Sequence, residues 1–404
     1  MLYIFFFLML LMPTIFQAPR GILLLFLLFG IKRIGVKYVY PKIYELWLLN
    51  TIFLLFSLLY GLIVGNQGAI SAWTVDLLWP FLYLIFMMNC RSIEMILKLF
   101  KVIIVGGLVI NIMNIILLLN EIYLDVGILS SFATTMGGKY GIYNGFTEFF
   151  VPSADFAPYF LYFGFALILL PHRFLGVNTF YISSLVVSSL IIILFSGRRA
   201  SWLLVVMMPI IVLSFFKLCK IGEGMIGKII KIIAPVAIVL YGGLYYILDV
   251  EILLNNFLST FDMYEDVSNY ERTLQAQSLW NDFVDNPIFG KGTGYVSSYI
   301  RTPDKPWQYE LSYNYMLSSK GIIGISIILF SYFAIIIGGI KFVRKHEDWA
   351  GLVIPPVCGI ICLSIMNGTN PYINKFDFLW IFFLPIIILN FLYFNPNLKL
   401  LNSE

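Results

Sequence analysis

Two adjacent arginines, Arg198 and Arg199, stand in LFSGRRASWLL, a turn of a few residues between two apolar runs. Guanidinium groups stay charged and grip phosphate or carboxylate oxygens through paired hydrogen bonds, so a pair at a membrane boundary points to an anionic partner. Snorkelling at a helix end is the plainer alternative. A second concentration of chemistry follows in residues 268–324, SNYERTLQAQSLWNDFVDNPIFGKGTGYVSSYIRTPDKPWQYELSYNYMLSSKGIIG. It belongs to a polar loop, 249–311, that is rich in Asp and Glu and whose bases are Arg272, Lys291, Arg301 and Lys305. In such a loop each cation either closes an internal salt bridge or receives an anionic ligand. Beside Asp304, Lys305 is expected to do the former. An earlier polar loop, 120–156, is rich in Gly, Tyr and Phe and has Lys139 as its base.

Several familiar chemistries are excluded by their missing residues. Gly290-Lys291-Gly292-Thr293-Gly294 lacks the frame of a nucleotide-binding phosphate loop and no strand precedes it. It reads as a glycine-rich turn whose exposed N–H groups are free to meet a phosphate. There is no G-x-S-x-G elbow and no H-E-x-x-H motif, and no acidic pair in the polar loops has ligand-like spacing, so neither a metal nor a cofactor is implied. The two histidines, His172 and His346, fall in turns on the side opposite both polar loops, so chemistry there proceeds without imidazole. The four cysteines lie within or at the ends of apolar runs, where packing accounts for them.

The elements that must position these residues are membrane spans. Of 404 residues 60% are hydrophobic and 12% charged, about half the charge of a soluble domain, and mean hydropathy is +0.90. A net charge of +4, scattered along the chain, argues for no nucleic-acid partner. The fold class is an all-α polytopic membrane domain with about twelve crossings, near 2–16, 21–31, 44–64, 69–88, 99–119, 157–170, 176–195, 200–218, 229–248, 312–340, 349–367 and 376–394. The first two are expected to form a tight hairpin around Pro19. Asp76 is expected to cap the start of the fourth. Clusters of Lys and Arg follow spans two, four, six, eight and ten, all on one side, which the positive-inside rule assigns to the cytoplasm. The loops 120–156 and 249–311 then face outward, and Arg198-Arg199 stands on the outer face against the charge rule. Within the second loop, Ser268 and Glu271 have capping-box spacing and Asn286-Pro287 is a stop signal, so a helix is expected near 269–286. Ala276, Leu279, Trp280, Phe283 and Val284 share one face opposite Gln275, Gln277 and Asp282. Such a helix lies along the interface or packs on its neighbours; the pattern leaves both open.

Three pieces occur in order: LFSGRRASWLL, then YERTLQAQSLWNDFVDNPIFGKGTGYV, then YELSYNYMLSSKGIIGI. The set resembles the O-antigen polymerase and O-antigen ligase superfamily of polytopic, GT-C-like membrane glycosyltransferases. The resemblance implies an inner-membrane enzyme with its active site facing the periplasm, acting on an undecaprenyl-pyrophosphate-linked oligosaccharide, and the missing acidic pair makes it metal-independent. Its reaction would join a growing glycan to a new lipid-linked repeat unit, with a chain-length-regulating membrane protein as a candidate partner. Arg199 and Arg272 match the family's arginines and would hold the pyrophosphate; Arg198 stands where the family has serine. Glu310 would activate the acceptor hydroxyl, or form a salt bridge with Lys305 or Arg301. Lys139, Lys291 and Arg301 are further candidates for substrate contact, and Tyr313 for stacking on a sugar. The ligase branch carries a histidine before the span that begins near Tyr313; here the residues are Tyr309-Glu310-Leu311-Ser312-Tyr313, which favours the polymerase branch. Ligase remains the alternative within the family, and a lipid-carrier flippase the alternative outside it. A flippase would show short outer loops and repeat symmetry, and neither is evident.

Overall fold

A computed structural model describes residues 1–143, 146–221 and 267–395. The fold is all-α and polytopic. Among the described residues, eight helices are long and apolar enough to cross a membrane. They are α3 (Pro41–Val64), α4 (Ala69–Asn89), α5 (Ile93–Leu124), α7 (Pro152–Leu169), α9 (Arg199–Cys219), α11 (Ser312–Lys345), α12 (Ala350–Asn367) and α13 (Phe376–Phe394). Shorter apolar helices are α1 (Leu2–Leu11), α2 (Gln17–Phe29) and α8 (Thr179–Phe195). The run expected at 229–248 lies outside the described residues. A short helix α6 (Gly127–Thr135) and an antiparallel hairpin, β1 (Lys139–Tyr143) with β2 (Phe146–Phe150), fill the first polar loop. Helix α10 (Val267–Asp285) opens the described part of the second.

Helices α1 and α2, with 10 and 13 residues, reach about 15 and 20 Å, short of the roughly 30 Å of a bilayer core. They form the expected hairpin, but the chain turns at Met12–Phe16, where Thr14 and Phe16 adopt positive φ. Pro19 lies in the first turn of α2, a position that needs no amide donor. The pair is tied to α13 by Asp377, which accepts from Thr14 N at 2.7 Å and from Arg20 Nη1 at 2.5 Å.

The core is centred on α7, packed between α8 and α12. Its Tyr159, Phe160, Tyr162, Phe163 and Phe165 are all fully enclosed. Gly359 of α12 lets the Tyr159 ring lie against the helix backbone, and Gly107 of α5 receives Phe160 in the same manner. Without a hydrophobic drive between spans in lipid, such close van der Waals fits are what hold helices together. All four cysteines are buried.

Chain reversals sort into two ends, as alternating crossings require. At one, Asn89 donates to Arg33 O, Arg91 covers the Tyr38 ring at 4.6 Å, and Arg344 Nε donates to Leu218 O at 2.6 Å. At the other, Asn66 donates to the carbonyls of Lys291 and Thr293, and Arg198 faces Asp155. This second, site end gathers both polar loops.

Helix α11 is interrupted at Gly321 (φ 66°, ψ −174°), which leaves backbone groups without helical partners. The loop after α10 supplies them. Lys291 N and Gly292 N donate to the carbonyls of Ser318 and Ser319, while Ile322 N donates to Pro287 O, each at 2.9 Å. Thr293 N donates to Ser57 O at 3.1 Å and Gly294 N to Tyr315 Oη at 3.0 Å. The glycine-rich turn therefore does not offer these N–H groups to a phosphate, as the sequence suggested. It splices the break in a membrane helix, and its glycines allow backbone to touch backbone there.

Candidate active site

Helix α10 lies on the loop that follows it with its polar face inward. Gln275 is buried and accepts from Leu311 N at 3.1 Å; Ser278 bonds Ser297 and Ser298; Asp282 accepts from Ser297 and from Lys291 Nζ, the latter at 2.5 Å. Leu279 is buried with them, whereas Trp280 and Val284 are more than half exposed. The expected apolar face is thus split: Leu279 packs inward and Trp280 and Val284 point outward. Beneath α10 the rings of Tyr295, Tyr309 and Tyr315 stack at 4.9–6.5 Å, and Ser297 N donates to Tyr309 Oη at 2.6 Å. That stack fixes Tyr309, and with it Glu310. Ser268 has no described side chain; Glu271, its expected partner in a capping box, turns to Arg301 instead.

Arg272, one turn before Gln275, meets Glu310 from α10: its Nε donates to Glu310 Oε2 at 3.2 Å. Arg301 approaches the same oxygen at 2.5 Å through Nη1 and holds Glu271 Oε2 at 2.9 Å through Nε. Two guanidiniums share one carboxylate oxygen, with Arg272 and Glu310 each 29% exposed. Arg198 enters from the turn before α9, lies 4.2 Å from the centre of the Phe150 ring, and has Nε 3.8 Å from Asp155 Oδ1. The same Asp155 oxygen accepts from Tyr372 Oη at 2.8 Å. Burial works against the Arg198 charge, but Asp155, Tyr372, Glu310 and Glu148 outweigh it, so its pKa is raised. Burial, reinforced by Asp155, lifts the Tyr372 phenol well above its usual range, so it stays a donor.

The structure therefore joins Arg272 and Arg301 on Glu310, whose charge also acts on Arg198 at the neighbouring Asp155. The side chain of Arg199 lies outside the described residues; its backbone begins α9 beside Arg198. Lys291 is held by Asp282 and Asp285, which raise its pKa over the opposing effect of burial. Its place is structural. Lys139 is exposed on β1, and Tyr313 Oη donates to Ser364 O at 2.6 Å, which ties that hydroxyl to α12. Lys305 is exposed, and Glu310 takes its salt bridges from Arg272 and Arg301.

Three further residues belong here that the motifs did not reveal: Asp155, Tyr372 and Lys375. Lys375 stands between the Tyr372 and Phe378 rings at 5.0 and 5.5 Å. Burial lowers its pKa, Asp155 opposes that, and Arg198 adds to it. One signal was available: Lys375 is a cation in an otherwise uncharged turn at the site end, the same violation of charge bias that marks Arg198-Arg199.

A cleft of about 1060 Å³ opens beside this cluster and runs between α3, α4, α11 and α13. Leu54, Leu84, Ile328, Ile335, Phe383 and Ile386 line its length, Thr293, Trp307, Tyr309 and Lys375 its site end, and Lys341 and Lys345 its opposite end. The cleft is thus a long, largely apolar channel along membrane helices with lysines at both ends.

The fold and this site define a multi-pass membrane protein with an arginine–carboxylate cluster beside a long, largely apolar cleft. Residues 184–318 match a family model described as O-antigen ligase. The match covers about a third of the chain and is a similarity to the O-antigen ligase and polymerase superfamily. It spans Arg198, Arg272, Arg301 and Glu310, and stops before Lys375. No curated protein matches the chain.

Proposed function

We propose that the protein is an O-antigen-type polysaccharide polymerase, moving a growing glycan from undecaprenyl pyrophosphate to the end sugar of a new lipid-linked repeat unit at the periplasmic face of the inner membrane. The observation that carries this reading is the shared, partly exposed arginine–carboxylate cluster next to Tyr309, which lines the site end of a cleft between membrane helices. The polyprenyl chain occupies the cleft. Arg272 and Arg199 hold the pyrophosphate, with Arg301 and Arg198 beside them, and their charge stabilises the negative charge that grows on the leaving group. A pyrophosphate that takes Arg272 or Arg301 draws it from Glu310 and leaves that oxygen open to accept the proton of the attacking sugar hydroxyl. The hydroxyl oxygen then bonds to the donor sugar's anomeric carbon as the bond to pyrophosphate breaks.

Both histidines lie at the opposite end: His172 bonds Leu170 O and Thr179, and His346 follows α11. The absence of imidazole from the site favours polymerase. The description of the matched family favours the second reading, transfer of the finished glycan to lipid A core. Profiling surface polysaccharide from a deletion strain separates them. Single repeat units on lipid A core support polymerase; long polymer stranded on its carrier supports ligase. Restoration of normal long chains by both Arg272→Ala and Arg199→Ala would remove these arginines from the site.

A further inference from the structure

Below the arginine cluster the cleft wall contains a second ion pair, between helices far apart in sequence. Lys320 Nζ lies 3.1 Å from Asp76 Oδ2, and the two side chains are 6% and 15% exposed. Both residues line the cleft. Asp76 was expected to cap the start of its span. It sits instead in the second turn of α4, within a π-turn at Thr74–Leu78, a deformation that recurs at functional sites. Lys320 is the last residue before the Gly321 break, and its backbone is wedged against Gly290 of the splicing loop. A helical side chain leans toward the N-terminus of its helix, so Lys320 leans toward the site end. An ionisable pair within spans that faces a cavity is costly unless it is used.

The pair is incompletely satisfied. Despite the short distance, Asp76 Oδ2 receives no aligned hydrogen bond. Two more buried polar atoms on the cleft wall, Ser312 Oγ and Trp307 Nε1, also have no hydrogen-bond partner. Ser312 lies two turns from Lys320 toward the site end on the same helix. The cleft thus carries a cation with an exchangeable counter-ion, and unused donors between it and the mouth.

We propose that Lys320 is a ligand for the phosphate of a polyprenyl phosphate or pyrophosphate, and that Asp76 holds it until the lipid displaces the carboxylate. The inference rests on the reading of the cleft as a carrier-lipid site and adds the residue that grips the lipid within the membrane. Lys320 acts on substrate binding, while the proton and leaving-group steps belong to the cluster above. The pair makes an asymmetric prediction: one partner binds the ligand and the other competes with it.

The test is titration of the purified full chain in lipid nanodiscs with undecaprenyl phosphate, followed by native mass spectrometry, with phosphatidylglycerol and inorganic phosphate as comparison arms. Lys320→Met is expected to weaken undecaprenyl phosphate binding about tenfold or more, the scale of one charge-assisted contact. Asp76→Asn is expected to tighten it several-fold. The exchange Asp76→Lys with Lys320→Asp keeps an ion pair and is expected to stay weak. Gel filtration of each variant checks that it folds. Wild-type affinity in the exchanged protein would make the pair merely structural and overturn the proposal, as would unchanged binding by a folded Lys320→Met. Equal effects on phosphatidylglycerol would overturn the assignment to the carrier lipid. Failure of the wild type to bind undecaprenyl phosphate would remove the carrier-lipid reading of the cleft as well, an outcome distinct from wild-type binding that ignores Lys320.

Discussion

Two arginine–carboxylate sites stand at the same end of the molecule and differ in every respect that matters for function. Arg20 and Asp377 are 8% and 6% exposed and meet at 2.5 Å, with Thr14 N on the other carboxylate oxygen. Both Asp377 oxygens are engaged, and although Arg20 Nε has no partner, the pair fastens the α1–α2 hairpin to α13. Arg272, Arg301 and Glu310 are 25–29% exposed, and two cations contend for one oxygen. An enclosed pair with close ion contact has little to give to a ligand, since removing either partner strands a buried charge. A shared, half-solvated set can exchange one partner for another at small cost. The first is an anchor and the second a site, although residue types and distances alone would not separate them.

The comparison is broken most forcefully at the anchor. Arg20→Ala is expected to destabilise the protein by about 3–5 kcal/mol by leaving Asp377 unpaired. Thermal unfolding in detergent would record it, and activity would fall only with the amount of folded protein. An unshifted melting transition would place the hairpin's anchorage elsewhere.

Arg272→Ala is expected to do the reverse. Loss of one donor to a developing anionic leaving group costs about 10²–10³ in rate, or about 3–4 kcal/mol. Glu310 keeps Arg301, so the melting transition should hardly move. Turnover with purified lipid-linked repeat units measures the first quantity, and the same unfolding assay the second. A variant that melts early but turns over normally per folded molecule would turn Arg272 into a second anchor.

These contrasts explain how far the sequence could be read. Apolar runs and charge bias revealed the helices, because span length and the Lys/Arg asymmetry are written locally. Arg198, Arg272, Arg301 and Glu310 were visible as charges in polar turns and loops. Their partners were not. Asp155 and Tyr372 are 217 positions apart, and Asp76 meets Lys320 only because α4 and α11 share a cleft wall. The glycine-rich turn was misread for the same reason: its N–H groups are free in the loop considered alone, and occupied once α11 breaks at Gly321. Local pattern gives the element; long-range pairing decides whether a polar group is spent or available.

Between anchor and site stands Asp155, half of each kind. It is buried, bonded by Tyr372, and faces Arg198 at 3.8 Å. Tyr372→Phe removes one donor to a charged acceptor, worth about 1.5–3 kcal/mol. The expected split is a modest fall in melting temperature with a several-fold loss of turnover, as Asp155 is released to draw Arg198 away from substrate. Loss of stability without loss of turnover would assign Asp155 wholly to the anchor.

The smallest effect sharpens the comparison through pH. Lys375 lines the site end of the cleft and titrates below the usual lysine range, because burial disfavours its charge. Between its folded pKa and the ordinary lysine value, the unfolded chain binds more protons than the native one, so folding stability rises with pH across that interval. Under the proposed function substrate binding runs the opposite way, since an anionic lipid head would need the ammonium. Raising pH through the folded pKa of Lys375 should therefore stabilise the protein slightly while weakening its hold on substrate. Lys375→Arg keeps the charge to higher pH, so its KM should stay flat where the wild-type KM climbs, with kcat little altered. Parallel KM profiles would leave Lys375 as packing between two aromatic rings. A KM that diverges only on the alkaline side would make it a cation of the site, available because, unlike Arg20, it faces Asp155 without the close ion pair that would hold it there.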